Sequence, residues 1–82
     1  MHCRYSLMLY AVCPVDQSRD SYSVTVESPR EIRVEKIIEL ATAWQTVEAT
    51  QEEITAKLAE QLGASVTTRG YHSGVLTIVS AP

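Results

Sequence analysis

The sequence is poor in cysteine and in basic residues and has no long apolar run, and each shortage argues against a class of protein. Two cysteines among 82 residues are too few for the disulfide framework of a small secreted domain. No apolar run approaches the roughly 20 residues that a membrane-spanning helix needs. Residues 1–4 are not the charged start of a signal peptide either. We therefore expect a single domain over residues 1–82 in a reduced, cytoplasmic setting, with no membrane as a partner.

Motifs for metals and common cofactors are also missing. The histidines and cysteines show no zinc-type spacing, so no metal is expected. There is no glycine-rich phosphate loop, nucleophilic serine motif or dinucleotide fingerprint. The net charge is −3, and the basic residues are scattered rather than arranged in a stripe. This distribution disfavours non-specific binding of nucleic acid, which relies on basic side chains to neutralise phosphates, but it leaves a local RNA-binding patch open.

Alternation of side-chain type predicts two strands in the first third of the chain. The first covers residues 4–12 and the second residues 22–28, where tyrosine and valine alternate with polar side chains. Between them, residues 13–20 contain the proline, aspartate and serine that are typical of a loop. The pair is therefore predicted to be a hairpin with a wide loop, ended by Pro29.

Two helices are predicted in the middle of the chain. From Val34 the apolar spacing becomes helical, and Trp44 belongs to the same apolar face. A capping box formed by Thr50 and Glu53 begins a second helix. Gly63 stands where a left-handed residue would end that helix.

The whole pattern predicts a two-layer α+β fold of the order ββααββ. The last two strands are predicted at residues 66–69 and 74–79, with Gly70 between them. Two helices would then cover one face of a four-stranded antiparallel sheet. The second face of the first strand, with Met8 and Tyr10, is also apolar, which indicates burial on both sides of that strand.

The uncovered face of the predicted sheet is expected to be an interface. It carries Met8, Tyr10 and either Leu76 or Ile78, and an exposed apolar patch marks an interaction site. We therefore predict a homo-oligomer whose sheets join edge to edge into a barrel that leaves no edge free. The alternative is a monomer whose second sheet face is only mildly apolar.

Cys13 and Asp20 are the first candidates for chemistry. The thiol lies at the predicted end of a strand and the start of a loop, where functional residues concentrate. Asp20 lies at the other side of the same loop. A nearby carboxylate is a suitable acid/base partner for a thiol nucleophile. The alternative is that Cys13 is simply a small buried apolar residue.

Glu52 and His72 are the next candidates. Glu53 occupies the capping position, so Glu52 is free to point elsewhere, and a carboxylate accepts the two parallel N–H bonds that a guanine edge offers. Its alternative role is favourable charge at a helix N-terminus. His72 lies between Gly70 and Gly74, and glycines on a strand allow close approach of a ligand or another backbone. Its alternative role is that of a half-exposed polar residue.

These short motifs, in this order and spacing, resemble those of one superfamily. Cys13-Pro14-Val15 with Asp20 resembles the Cys-Pro-x-x-x-x-x-Asp segment of the QueF family, the nitrile reductases of queuosine biosynthesis. Val34-Glu35 resembles the Val-Glu that begins the first helix there, and Gln51-Glu52 resembles a segment of GTP cyclohydrolase I. The resemblance covers roughly residues 4–79 and implies the tunnelling fold that these families share.

The resemblance also implies a chemistry. In the reductases the cysteine adds to the nitrile carbon of 7-cyano-7-deazaguanine to give a thioimide, and the aspartate moves protons. Cys13 and Asp20 are therefore implied to be catalytic, and Glu52 falls where the family has its purine-anchoring glutamate. Four residues are implied to bind the substrate: Glu52, Glu35, His72 and Gln51.

Departures from the family pattern decide which reaction is expected. The lysine-rich motif associated with NADPH is replaced by residues 35–40, Glu-Lys-Ile-Ile-Glu-Leu, and the zinc cysteines of the cyclohydrolase are absent. The archaeal reductase-like amidinotransferases are short and also lack the NADPH motif, and in them ammonia attacks the thioimide of a nitrile carried by tRNA. We therefore expect an ammonia-dependent enzyme without a cofactor, acting on 7-cyano-7-deazaguanine, free or within tRNA, in archaeosine or queuosine formation. The alternatives are an NADPH-dependent reductase and a non-catalytic purine- or pterin-binding module.

Overall fold

The computed structural model describes all 82 residues and has six regular elements. In chain order these are β1 (Cys3–Val12), β2 (Arg19–Ser28), α1 (Val34–Thr42), α2 (Gln51–Leu62), β3 (Ser65–His72) and β4 (Val75–Ala81). The predicted order ββααββ is therefore confirmed. Neither helix is long and apolar enough to cross a membrane.

The four strands form one antiparallel meander in the order β1-β2-β3-β4. Gly70, predicted to separate the last two strands, instead lies inside β3 and pairs with Thr77 of β4. The turn is made by Ser73 and Gly74, whose φ angles are +52° and +82°. A two-residue hairpin loop with positive φ at both positions matches the right-handed twist of the strands, which explains why the turn is at this dipeptide.

The core lies between the helices and one face of the sheet. Helix α1 packs against β1, and α2 packs against β3 and β4. Leu9, Val26, Ile54 and Val66 are at most 1% exposed. Burying a side chain of this size contributes about 1.5–3 kcal/mol. The face of β2 that was predicted from the alternation of Tyr22, Val24 and Val26 is thus the centre of the core.

Both ends of α2 form as predicted. The Oγ1 of Thr50 accepts a hydrogen bond from the Glu53 backbone N–H at 3.1 Å, and the Glu53 carboxylate accepts one from the Thr50 N–H at 3.3 Å. Gly63 ends the helix in the left-handed region, with φ +58° and ψ +41°. Helix α1 is shorter than its apolar spacing suggested, because it ends at Thr42. Trp44 lies in the following turn and still packs against the core.

The sheet face away from the helices is apolar but exposed. Met8 is 51% exposed, Leu76 40% and Ile78 55%. The expectation that β1 is buried on both sides is therefore wrong within a single chain, since the helices cover only one sheet face. That apolar face agrees with the surface predicted to be an interface. Assembly into a barrel stays a prediction.

Candidate active site

Main-chain hydrogen bonds hold the end of β1 beside the start of α2. The backbone N–H of Val12 donates to the Val47 carbonyl at 3.0 Å, and the N–H of Ala49 donates to the Val12 carbonyl at 3.2 Å. This short parallel bridge pairs Val12 with Glu48. Cys13 directly follows Val12, and α2 begins two residues after Ala49. The bridge therefore places the thiol-bearing residue next to a helix N-terminus, which favours negative charge.

A tight loop returns the chain from Cys13 to β2. The Cys13 N–H donates to the Ser18 carbonyl at 2.7 Å, and the Gln17 N–H donates to the Cys13 carbonyl at 2.9 Å. Gln17 adopts a positive φ of 61° to close the loop. The chain then enters β2, where Asp20 pairs with Ala11. Asp20 is thus returned to the same end of the sheet as Cys13.

Asp16 is a second carboxylate beside the thiol, and it was not singled out from the sequence. Its Oδ1 accepts hydrogen bonds from the Ser18 hydroxyl at 2.6 Å and from the Ser18 N–H at 2.9 Å. These bonds, and then one from the Cys13 thiol, hold the pKa of Asp16 below its ordinary value. The Asp-x-Ser pattern could have predicted this turn, because aspartate often accepts a hydrogen bond from the backbone N–H two residues further along the chain.

A cleft of about 250 Å³ collects most of the predicted site residues. Its lining comes from the loop after β1, the start of β2, the N-terminus of α2 and the β3–β4 hairpin. The lining residues are Cys13, Pro14, Val15, Asp20, Tyr22, Ala49, Thr50, Gln51, Glu52, His72 and Thr77. Cys13 is half-buried and free of any disulfide. The thiol, the loop aspartate, and the glutamate and glutamine at the start of α2 therefore meet in one cleft with the histidine.

Tyr22 holds the carboxylate of Asp20 in place, a role that the sequence pattern did not reveal. Its side chain is 1% exposed, and its hydroxyl donates to Oδ2 of Asp20 at 3.2 Å. Burial, followed by the negative charge of Asp20, raises the pKa of Tyr22 well above its ordinary value, with smaller contributions from Cys13 and Glu52. The hydroxyl therefore stays protonated and remains a donor to Asp20.

Gly70 makes room for that tyrosine. A Cβ atom at Gly70 would lie 2.5 Å from Cδ1 and 2.8 Å from Cε1 of Tyr22. The predicted close approach at this glycine is therefore real, but the approaching group is the ring of Tyr22 rather than a ligand or a backbone. The ring of Tyr22 also lies close to that of His72, with ring centroids 5.9 Å apart.

Gln51 is buried and holds His72 in place. Its side chain is 2% exposed. The Nε2 atom donates to the Thr68 carbonyl at 3.2 Å and to the Thr77 carbonyl at 3.0 Å, and it also reaches the Thr68 hydroxyl at 3.1 Å. The Oε1 atom lies 2.8 Å from Nε2 of His72. The amide of Gln51 is thus committed to the protein interior, so that it acts on the cleft chiefly through His72.

Glu53 caps α2, as expected, and Glu52 takes no part in the cap. Glu53 completes the capping box of α2. Glu52 is exposed at the rim of the cleft and takes part in none of the four ion pairs of the chain. A carboxylate at this position is available to a ligand.

Glu35 does not reach the cleft within one chain. It lies in the first turn of α1, where its side chain is 77% exposed and 3.6 Å from Nε of Arg33. Helix α1 packs on β1, while the cleft is bounded by α2 and the β3–β4 hairpin. The predicted grouping of Glu35 with the other site residues is therefore not found in the single chain. No group of three or more His, Cys, Asp or Glu side chains could hold a metal ion.

Comparisons with known proteins identify the fold. No family model matches the sequence, and no curated protein matches it significantly. Among solved structures, the archaeosine synthase QueF-like in its apo form superimposes with a TM-score of 0.89. The match covers 98% of this chain and 90% of that chain, with 24% sequence identity. The chain therefore has the fold of a QueF-like enzyme, the tunnelling fold that its motifs predicted.

Proposed function

We propose that this protein is an enzyme acting on the nitrile of 7-cyano-7-deazaguanine, either as the free base or within tRNA. The observation that carries the proposal is that Cys13, Asp20 and Glu52 line one cleft. The family resemblance gives those three positions the roles of nucleophile, proton carrier and purine anchor. The fold shared with an archaeosine synthase supports the same reading.

The first step is addition of the Cys13 thiol to the nitrile carbon. A bond forms between Sγ and that carbon, one π pair of the nitrile moves to its nitrogen, and a thioimide results. Asp20 takes the thiol proton and delivers it to the nitrile nitrogen, so the step needs no other acid or base. Tyr22, which donates to Oδ2 of Asp20, keeps the carboxylate oriented during this transfer.

Substrate recognition is assigned to Glu52. The ring N–H and the exocyclic amine of a guanine-like base form a parallel pair of donors, and one carboxylate accepts both. Glu52 has no ion-pair partner to give up, and the positive end of α2 supports its charge. The cleft volume, about 250 Å³, is just below the roughly 300–1,000 Å³ of small-molecule sites.

The second step is attack on the thioimide by ammonia. Its nitrogen adds to the carbon, the carbon–sulfur bond breaks, and the thiol of Cys13 is restored. The net reaction joins one nitrile and one ammonia to give an amidine, with no oxidation or reduction. The absence of the lysine-rich NADPH motif from residues 35–40 supports ammonia rather than hydride as the attacking group.

Mass spectrometry of the intact protein tests the proposal. Incubation with 7-cyano-7-deazaguanine should add the mass of one base, and Cys13→Ala should abolish the adduct. Cys3→Ala is the matched control, because Cys3 lies at the far end of β1, and it should leave the adduct unchanged. The proposal fails if the wild-type protein forms no adduct or if Cys13→Ala forms it equally well.

Further measurements separate the alternatives. Release of an amidine on adding ammonia supports the proposed reaction, whereas consumption of NADPH would identify a reductase. Binding of guanine-like bases that survives Cys13→Ala without turnover would identify a non-catalytic module.

Glu52→Gln tests the anchoring role. Removing one charged hydrogen-bond acceptor costs about 1.5–3 kcal/mol, so binding of the base should weaken by roughly 10- to 100-fold. Glu53→Gln is the matched control, since glutamine also serves in a capping box, and it should bind the base normally. Equal weakening in both variants would contradict the assignment.

A further inference from the structure

His72 is the one basic side chain in the cleft. It is the last residue of β3, and its ring rests against Tyr22. The titratable groups that face the same space are all acidic: Cys13 from the loop, Asp20 and Tyr22 from β2, and Glu52 from α2. A proton that must leave the reacting atoms has no other nitrogen base lining this cleft to receive it.

The hydrogen bonds of Gln51 determine which nitrogen of His72 carries a hydrogen. The carbonyl oxygens of Thr68 and Thr77 only accept hydrogen bonds, so the Gln51 atom that faces them at 3.2 and 3.0 Å must be the amide nitrogen. The Oε1 atom then faces His72 at 2.8 Å. Because Oε1 only accepts, Nε2 of His72 must donate.

The consequence for His72 is a free lone pair on Nδ1. In the neutral ring one nitrogen carries the hydrogen and the other accepts. Nε2 has the hydrogen and is engaged by Gln51, while Nδ1 takes part in no hydrogen bond of the chain. In the neutral ring, Nδ1 is therefore the nitrogen that can act as a base.

We propose that His72 is a catalytic base and that its Nδ1 takes the proton from ammonia as ammonia attacks the thioimide. This inference rests on the proposed function. After the first step Asp20 takes one proton from solvent water and passes it to the thioimide nitrogen, and ammonia then adds to the carbon, leaving a positively charged nitrogen. Nδ1 removes a proton from that nitrogen. The lone pair so freed forms the amidinium double bond, the carbon–sulfur bond breaks, and its electrons return to Sγ. The imidazolium passes its proton to the thiolate.

Gln51 is a positioning residue in this scheme. It touches no reacting atom, and it acts by holding the hydrogen on Nε2, so that in the neutral ring the lone pair lies on Nδ1. The buried glutamine would thus affect catalysis as well as the packing of the interior. These roles for Gln51 and His72 differ from the substrate-binding roles that the family resemblance implied.

His72→Gln separates a base from a structural role. A glutamine amide places an N–H where Nε2 was and so preserves donation to Gln51, but it supplies no base. The thioimide is formed first on wild-type and variant protein, and its decay is then followed by mass spectrometry at a fixed concentration of free ammonia over a pH series. We expect adduct formation within about twofold of wild type, and decay slower by about 100-fold or more. The wild-type decay should slow at acid pH, and this dependence should vanish in the variant.

Each contrary result has a distinct meaning. If wild type forms no adduct, the proposed function fails and this inference with it. If the adduct forms and the variant resolves it at the wild-type rate, or with the wild-type pH dependence, His72 is not the base although the proposed function stands. Slow adduct formation in the variant would assign His72 to substrate binding and overturn the inference.

A measurement on the unmodified protein tests the premise even if the variant does not fold. Nitrogen-15 NMR distinguishes the two neutral tautomers of a histidine ring, and His2→Gln assigns the signals because the chain has two histidines. We expect the hydrogen of His72 on Nε2. Finding it on Nδ1 would overturn the proposal.

Discussion

Gly70→Ala should lower both the stability of the protein and the reactivity of its cleft, because Gly70 faces the ring of Tyr22. Tyr22 belongs to the core and also lines the cleft. The added methyl group would lie 2.5 Å from Cδ1 of Tyr22. Tyr22 is 1% exposed within the core cluster. The ring must shift, and its hydroxyl then leaves the position from which it donates to Asp20.

The size of the effect follows from the contacts. Overpacking a core costs about 1–3 kcal/mol, and loss of the hydrogen bond to Asp20 adds about 1 kcal/mol. Replacing glycine recovers about 0.4–1 kcal/mol through the unfolded chain. The free energy of unfolding should therefore fall by about 1–3 kcal/mol in urea titrations. Formation of the Cys13 adduct should slow as well, since Asp20 is no longer held.

Gly74→Ala is the matched control. No atom lies within 4 Å of a Cβ at Gly74, but its φ of +82° makes a side chain there cost about 1–2 kcal/mol. This variant should lose comparable stability and keep the wild-type rate of adduct formation. The reasoning is refuted if Gly70→Ala is as stable and as reactive as wild type, or if both variants lose reactivity equally.

Three further outcomes are expected. The raised pKa of Tyr22 means that the contribution of this tyrosine to the free energy of unfolding is constant below pH about 10, where a free tyrosine titrates. Above that pH Tyr22 ionises in the unfolded chain before it does in the folded chain, so the free energy of unfolding should fall by up to about 1.4 kcal/mol per pH unit. Tyr22→Phe should remove this part of the pH dependence. Identical dependence of stability on alkaline pH in the wild type and the variant would contradict the prediction. Gln51→Leu leaves the buried carbonyl of Thr68 and the half-buried carbonyl of Thr77 without their donor, which should cost about 1–3 kcal/mol; an unchanged urea midpoint would contradict it. Thr50→Ala removes the N-cap of α2 and should lower the free energy of unfolding by about 1 kcal/mol. The melting temperature should then fall by roughly 4–8 °C. An unchanged melting temperature would show that the cap contributes little.

Local patterns were sufficient to predict the order of elements and the ends of α2. A capping box and a left-handed glycine act within one turn of helix, so four neighbouring residues carry the whole signal. Gly70 illustrates where such patterns fail. An isolated glycine near the end of a strand resembles a turn, whereas its requirement here is the ring of Tyr22, a residue on another strand that no local window contains.

The sequence predicted most of the charged residues that line the candidate cleft, but it did not predict the residues that hold them in place. Cys13 and Asp20 were predicted to lie at the two sides of one loop; Asp20 instead lies at the start of β2, and both residues line the same cleft. Tyr22 matched the alternation of an ordinary core strand, and only the fold reveals that its hydroxyl reaches Asp20. Glu35 was grouped with the site by family resemblance alone, and in the single chain it lies on a different helix from Glu52.

The bridge between Val12 and residues 47–49 is made wholly by backbone atoms. The exposed side chains at positions 47 and 48 can therefore be exchanged without altering the separation between the sulfur and the first turn of α2. Because backbone amide groups fix the position of Cys13 relative to α2, that position is kept when the neighbouring side chains are substituted. Variation in residues 45–48, which are exposed, should accordingly be wide among related chains, with proline excluded at positions 12 and 49, where it would remove a donor that the bridge requires.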